Sequence, residues 1–88
     1  MDVRELGDDT VRRARTRLRR VEGQVRALER MLDDGEDCEQ VLRQIAAASK
    51  ALRRVGVQLA VDGVERCVAD PGADVDLERF RRAFVELS

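Results

Sequence analysis

The stretch VRRARTRLRRVEGQVRALERML, residues 11–32, decides the fold. Its apolar residues Val11, Ala14, Leu18, Val21, Val25, Leu28 and Leu32 recur at alternating steps of three and four. That spacing keeps one stripe along a helix and is the seam of a coiled coil, so a first helix is predicted over 9–33. Arginine dominates between the stripe positions: eight arginines stand against Glu22 and Glu29, a local balance of +6. Downstream, DDGED (33–37) breaks the pattern, with Gly35 suited to the left-handed turn that follows a helix. Asp37 with Gln40 then resembles an N-cap and its box partner.

The second helix is predicted over 37–68. One stripe runs through Cys38, Val41, Ile45, Ala48, Leu52, Val55 and Leu59, and a second face carries Val57, Ala60, Val61, Val64 and Val68. Gly56 and Gly63 each cost a helix roughly 1 kcal/mol relative to Ala. The apolar pattern continues past both, so the helix is read as continuous, with the glycines permitting close helix approach. ADPGAD (69–74) stops it. Leu77, Phe80, Phe84 and Leu87 then predict a short third helix over 75–87.

Residues 1–88 therefore read as a single all-α domain: a flexible N-terminus (1–8), an antiparallel helix hairpin and a short C-terminal helix. Two phenylalanines and no tryptophan or tyrosine leave an aliphatic core. Chains this small often need a metal, disulfides or a partner to be stable. A second helix apolar on two faces wants a partner chain, most simply an antiparallel four-helix dimer. No apolar run approaches the ~20 residues of a membrane span. The opening MDVRELGDD is too polar for a signal peptide, so the expectation is a cytoplasmic protein with reduced thiols and no membrane partner.

The net charge of −1 conceals segregation. Residues 43–54 add Arg43, Lys50, Arg53 and Arg54 with no acid, while the acids gather at 33–39 and 62–78. A phosphate backbone meets that local field rather than the net charge. The blander reading is that these are solvated helix faces. With no histidine, no serine–base pair and no glycine-rich phosphate loop, an enzyme is not expected.

Cys38 and Cys67 lie 29 residues apart on one predicted helix. At 1.5 Å per residue they stand ~43 Å apart, and 29 steps of ~100° leave them about 20° from each other around the axis. No disulfide or shared metal within one chain spans that distance. Two copies packed antiparallel about a two-fold axis between Leu52 and Arg53 would bring Cys38 of each beside Cys67 of the other. Each dimer would then hold two equivalent sites across the interface. Alternatively, both are small buried hydrophobes.

The segment RLRRVEGQVRALERMLDDGEDCEQVLRQIAAASKAL, continuing to VERCV, resembles the CsoR/RcnR-type bacterial transcriptional repressors over roughly residues 12–70. The resemblance implies an all-helical dimer assembling to a homotetramer that binds operator DNA until an effector at an interface-spanning site releases it. It also implies DNA contact through a flat basic face, for which the candidates are Arg12, Arg13, Arg17, Arg20, Lys50, Arg53 and Arg54. Arg17 and Arg54 match positions that are basic in the family. Contacts of this kind favour phosphates and DNA shape over base edges.

Copper-sensing members are implied to use a Cys, then a His and a Cys spaced H-x-x-x-C; the matching positions here are Cys38, Gly63 and Cys67. The nickel/cobalt branch needs several histidines. The formaldehyde branch needs an N-terminal proline, where this chain has Asp2. Two cysteines without histidine are similar to the CstR-like, persulfide-sensing branch. The expected effector is thus a reactive sulfur species acting on Cys38 and Cys67, with no cofactor and no metal. The alternatives are Cu(I) held by the same two thiolates, or a helical adaptor that binds no DNA.

Overall fold

The computed structural model describes residues 1–70, 72 and 76–87. Among them every regular element is helical: a 3-10 turn at Val3–Leu6, then α1 (Asp8–Asp34), α2 (Cys38–Ala69) and α3 (Leu77–Val85). The 75 at which the third helix was expected to begin lies outside the described residues.

Within residues 1–8, expected as a flexible N-terminus, the chain forms the 3-10 turn Val3–Leu6. Asp2 caps the 3-10 turn: its carboxylate accepts from the Arg4 N–H at 2.8 Å, while its own N–H donates to Glu5 Oε2 at 3.1 Å. This reciprocal pair satisfies donors that a helix start otherwise leaves to water. At the other end of α1, Gly35 takes φ 70°. Its N–H reaches the Leu32 carbonyl, and the Glu36 N–H reaches that of Met31 at 3.0 Å, closing the helix. The Asp37 box does not form, because the Asp37 side chain accepts no capping bond. That first turn is solvent-exposed, so water serves its N–H groups instead.

α2 runs unbroken through Gly56 and Gly63. It packs antiparallel to α1 around a thin core of Ala14 and Val21 from one helix and Ala48 and Val55 from the other, while Ala60 is buried on another side of α2, beneath α3 and the N-terminal turn. The molecule measures 54 × 24 × 14 Å, little thicker than one helix layer, and no large side chain is fully buried.

Both seams split along their length. Ala14 and Val21 of α1 face α2, while the alternate positions Leu18, Val25 and Leu32 stay 39, 44 and 68% exposed. On α2, Ala48 and Val55 face α1, whereas Ile45 and Leu52 remain 46 and 51% exposed. Stepping 100° per residue puts both open rows on the same side of the two-helix layer. One hairpin therefore uses half of each stripe and leaves the other half bare.

α3 returns to that same side over the C-terminal half of α2. Phe80 lies against Gly63 and Leu87 against Gly56, so that a Cβ would fall 3.0 Å from Phe80 Cζ and 2.7 Å from Leu87 Cδ2. The close approach that the glycines permit is thus made by α3 of the same chain.

Candidate functional site

Cys38 opens α2 and is exposed; Cys67 sits in its last turns and is half-buried; both are free thiols. Because α2 is one uninterrupted helix, the ~43 Å separation holds. Around the axis, Leu42, Ile45, Ser49, Leu52, Gly56 and Gly63 fall within about 40° of Cys38, and Cys67 within about 20°. This is the thiol face. Its N-terminal half is open, and its C-terminal half lies beneath α3 and Met1, Val3 and Leu6. Between the two thiols, position 63 offers no donor atom and is roofed by the Phe80 ring. Among the described residues, no group of three or more Cys, Asp or Glu within the chain is placed to hold a metal ion.

The opposite side of the layer is basic. Arg17 and Arg20 of α1 with Lys50, Arg53 and Arg54 of α2 line a groove of about 650 Å³, together with Ala51, Val57 and Gln58. Arg17 Nη1 donates to Gln58 Oε1 across the helix pair at 2.8 Å. Arg20, Lys50, Arg53 and Arg54 have no ion-pair partner among the described residues. Five of the seven basic candidates are therefore gathered in one groove. The other two lie nearer the start of α1 and are engaged by acids. Arg12 bonds Asp9 at 2.6 Å, and Arg13 lies between Asp9 at 3.5 Å and Asp62 at 3.8 Å. The Arg12 hydrogen bond, aided by the charge of Arg13, holds the Asp9 carboxyl below its ordinary range.

Sequence reasoning passed over Gln58, Asp62 and Phe80. The first two carried a signal: they are polar residues four apart in the otherwise apolar run VGVQLAVDG (55–63), on the side that meets α1. Phe80 carried none, since nothing local to α3 states which glycine it will cover. No described helix is long and apolar enough to cross a membrane.

A family profile for metal-sensitive transcriptional repressors matches residues 10–86. The copper-sensing transcriptional repressor RicR of Mycobacterium tuberculosis is 42% identical over 77 residues, covering 81% of this chain and 80% of that protein. The copper-sensing transcriptional repressor CsoR of Bacillus subtilis is 41% identical over 54 residues, 61% of this chain and 54% of its own length. The profile covers nearly the whole hairpin together with α3, and by that measure the chain belongs to the family of metal-sensitive transcriptional repressors.

Proposed function

We propose that the protein is a cytoplasmic, operator-binding repressor that senses persulfide or polysulfide through Cys38 and Cys67 of the partner subunit. The observation that carries this reading is the thiol face: two free cysteines at opposite ends of one rigid helix, pointing the same way, with a phenylalanine ring where a third donor would stand. Antiparallel pairing of two such helices makes two equivalent thiol pairs. It also buries Leu42, Ile45 and Leu52, which are 60, 46 and 51% exposed in the single chain. The strip beneath α3 lies on the path of the sister helix, so α3 yields part of it on pairing. Val61, Val64 and Val68 form a further exposed row on the outer flank of α2, suited to joining dimers into a homotetramer.

The chemistry needs no imidazole. A persulfide donor passes its outer sulfur to the Cys38 thiolate, giving Cys38–S–SH and the donor's thiol. The thiolate of Cys67 of the partner subunit then attacks the inner sulfur, a disulfide forms, and hydrosulfide departs. Two thiols have been oxidised and one sulfane sulfur reduced. The resulting bridge ties the chains covalently and, by moving α1 against α2, reshapes the basic groove, whose five cations hold phosphates in the reduced state.

A second reading is favoured by the copper-sensing relatives, which lend no support to the expectation of a metal-free sensor. Two thiolates are soft donors that suit Cu(I), and Cys38 and Cys67 of the partner subunit would hold it as a two-coordinate ion. Bound copper would supply the link between subunits that the disulfide supplies in the first reading. Intact mass spectrometry without reductant, after inorganic polysulfide, separates the two. The expected product is a covalent dimer that is lost in Cys38→Ser and in Cys67→Ser. No bridge, with Cu(I) bound tightly at one per chain, transfers the assignment to copper. A gel shift on the promoter of the protein's own gene tests the DNA reading against a non-binding adaptor.

A further inference from the structure

We propose that Gln58 is a positioning residue for DNA contact, holding the Arg17 guanidinium in the basic groove and tying it to the helix that carries both thiols. The proposal rests on the operator-binding reading above. Of the five cations lining the groove, Arg17 is the one with a side-chain hydrogen bond among the described residues, donated to Gln58 Oε1 at 2.8 Å. A guanidinium has five N–H donors in a planar fork, so one bond to Gln58 leaves the rest for a phosphate. An arginine held in place loses less side-chain freedom when it meets DNA than one that must first be ordered.

Gln58 occupies a half-buried place that an apolar residue would fill without polar cost. Its Nε2 is buried without a hydrogen-bond partner among the described residues, as is Oδ2 of Asp62 one turn further along. Burying polar groups that are only partly paired is unfavourable, so packing alone gives no reason for an amide there. Its acceptor, aimed at Arg17, does. Asp62 repeats the arrangement more loosely, 3.8 Å from Arg13. α2 thus reaches across the seam to two arginines of α1, one turn apart.

The test is fluorescence anisotropy with a labelled duplex from the promoter of the protein's own gene, titrated over a range of salt. The proteins are wild type, Gln58→Leu, Arg17→Ala and the double variant. Gln58→Leu should weaken binding about fivefold to tenfold and flatten the salt dependence by up to about one phosphate contact, with helicity and sedimentation unchanged. Arg17→Ala should lose at least as much, and the double variant no more than Arg17→Ala, because Gln58 acts through Arg17. Gln58→Asn, which withdraws the acceptor by one methylene and keeps the amide, should move the same way if Gln58→Leu fails to fold. Additive losses, or wild-type affinity in Gln58→Leu where Arg17→Ala loses, overturn the proposal. Wild-type protein that binds no duplex overturns the operator reading itself, and this inference with it.

Discussion

Replacing Gly63 by histidine restores the residue type of the copper-sensing pattern, yet the structure expects the single substitution to do harm. A Cβ at position 63 would lie 3.0 Å from Phe80 Cζ and 3.1 Å from Cε2, with Met1 Cε at 3.8 Å. Those are atoms of a rigid ring, and an imidazole adds five more heavy atoms in the same direction, so Phe80 has to leave. A buried aromatic covers 150–250 Å²; for a half-buried ring, roughly 100 Å² returned to water costs ~2.5 kcal/mol. Histidine recovers ~0.4 kcal/mol of helix propensity over glycine, leaving a net loss of ~2 kcal/mol. For a domain this small that is a fall of roughly 8–16 °C in melting temperature at fixed protein concentration. Limited proteolysis should at the same time cut in and around α3. Adding Phe80→Ala to Gly63→His removes the clash, and this double variant should bind Cu(I) more tightly than wild type in a competition with a colorimetric chelator. A Gly63→His protein that melts with wild type and keeps α3 protected would refute the reasoning, because Phe80 would then not be seated on Gly63.

Leu52→Glu places a charge at the centre of the bare face, beside the expected two-fold axis. Half of Leu52 is still exposed in the single chain, so its burial on pairing is worth ~0.8–1.5 kcal/mol per chain; sedimentation should show the dimer weakened by at least about tenfold, and an unshifted dimer would remove the antiparallel pairing. Operator affinity should fall on a log–log plot against salt with a slope of roughly −4.5 per engaged chain if all five groove cations meet phosphates; a flat line would mean the groove is not the contact. Asp9, with its carboxyl held low by Arg12 and Arg13, favours the folded state above the ordinary carboxylate range and ceases to as pH falls through its lowered value. Wild type and Asp9→Asn should therefore melt apart at neutral pH and converge on acidification, by a margin that salt reduces because the pairs are exposed.

The helices were legible because each has a local cause: the three–four rhythm of 11–32, the glycine turn at 35 and the apolar continuity of α2 past two glycines. What the rhythm does not encode is which half of a stripe meets the sister helix. Leu18 and Val21 read alike in sequence, yet Val21 is buried and Leu18 is 39% exposed, a difference made by the rotation of α1 about its axis. The thiol face was legible for a similar reason, since helix geometry alone sets an angle of about 20° between Cys38 and Cys67. That Gly63 permits a close approach was legible; that Phe80 of α3 makes it was not. Beyond being a place without a donor, Gly63 is the floor on which Phe80 rests, a long-range contact with no local trace. Resemblance singled out Arg17 and Arg54 among the seven basic residues, but a local signal went unread: Asp9, three and four residues before Arg12 and Arg13, pairs with both and leaves the groove to the other five.

How the proposed bridge at the ends of α2 would reach the groove follows from lever lengths. A disulfide draws its two Cα atoms to within about 4.4–6.8 Å, and each further sulfur lengthens the link by ~2 Å. A shift of ~2 Å at a thiol, acting about 22 Å from the proposed two-fold axis, would turn a rigid helix by only about 5°. Lys50, Arg53 and Arg54 would lie close to that axis and hardly move. The groove changes shape only if α1 moves against α2, carrying Arg17 and Arg20 with it, and the Arg17–Gln58 bond at 2.8 Å spans that joint. We therefore expect release of DNA to register as a change in the α1–α2 spacing near residues 17 and 58, not near residue 53. Spin labels on α1 and α2 flanking that pair should report different distances in the reduced and sulfur-bridged protein. Identical distances in both states would leave rotation of α2 alone, which is too small to empty the groove.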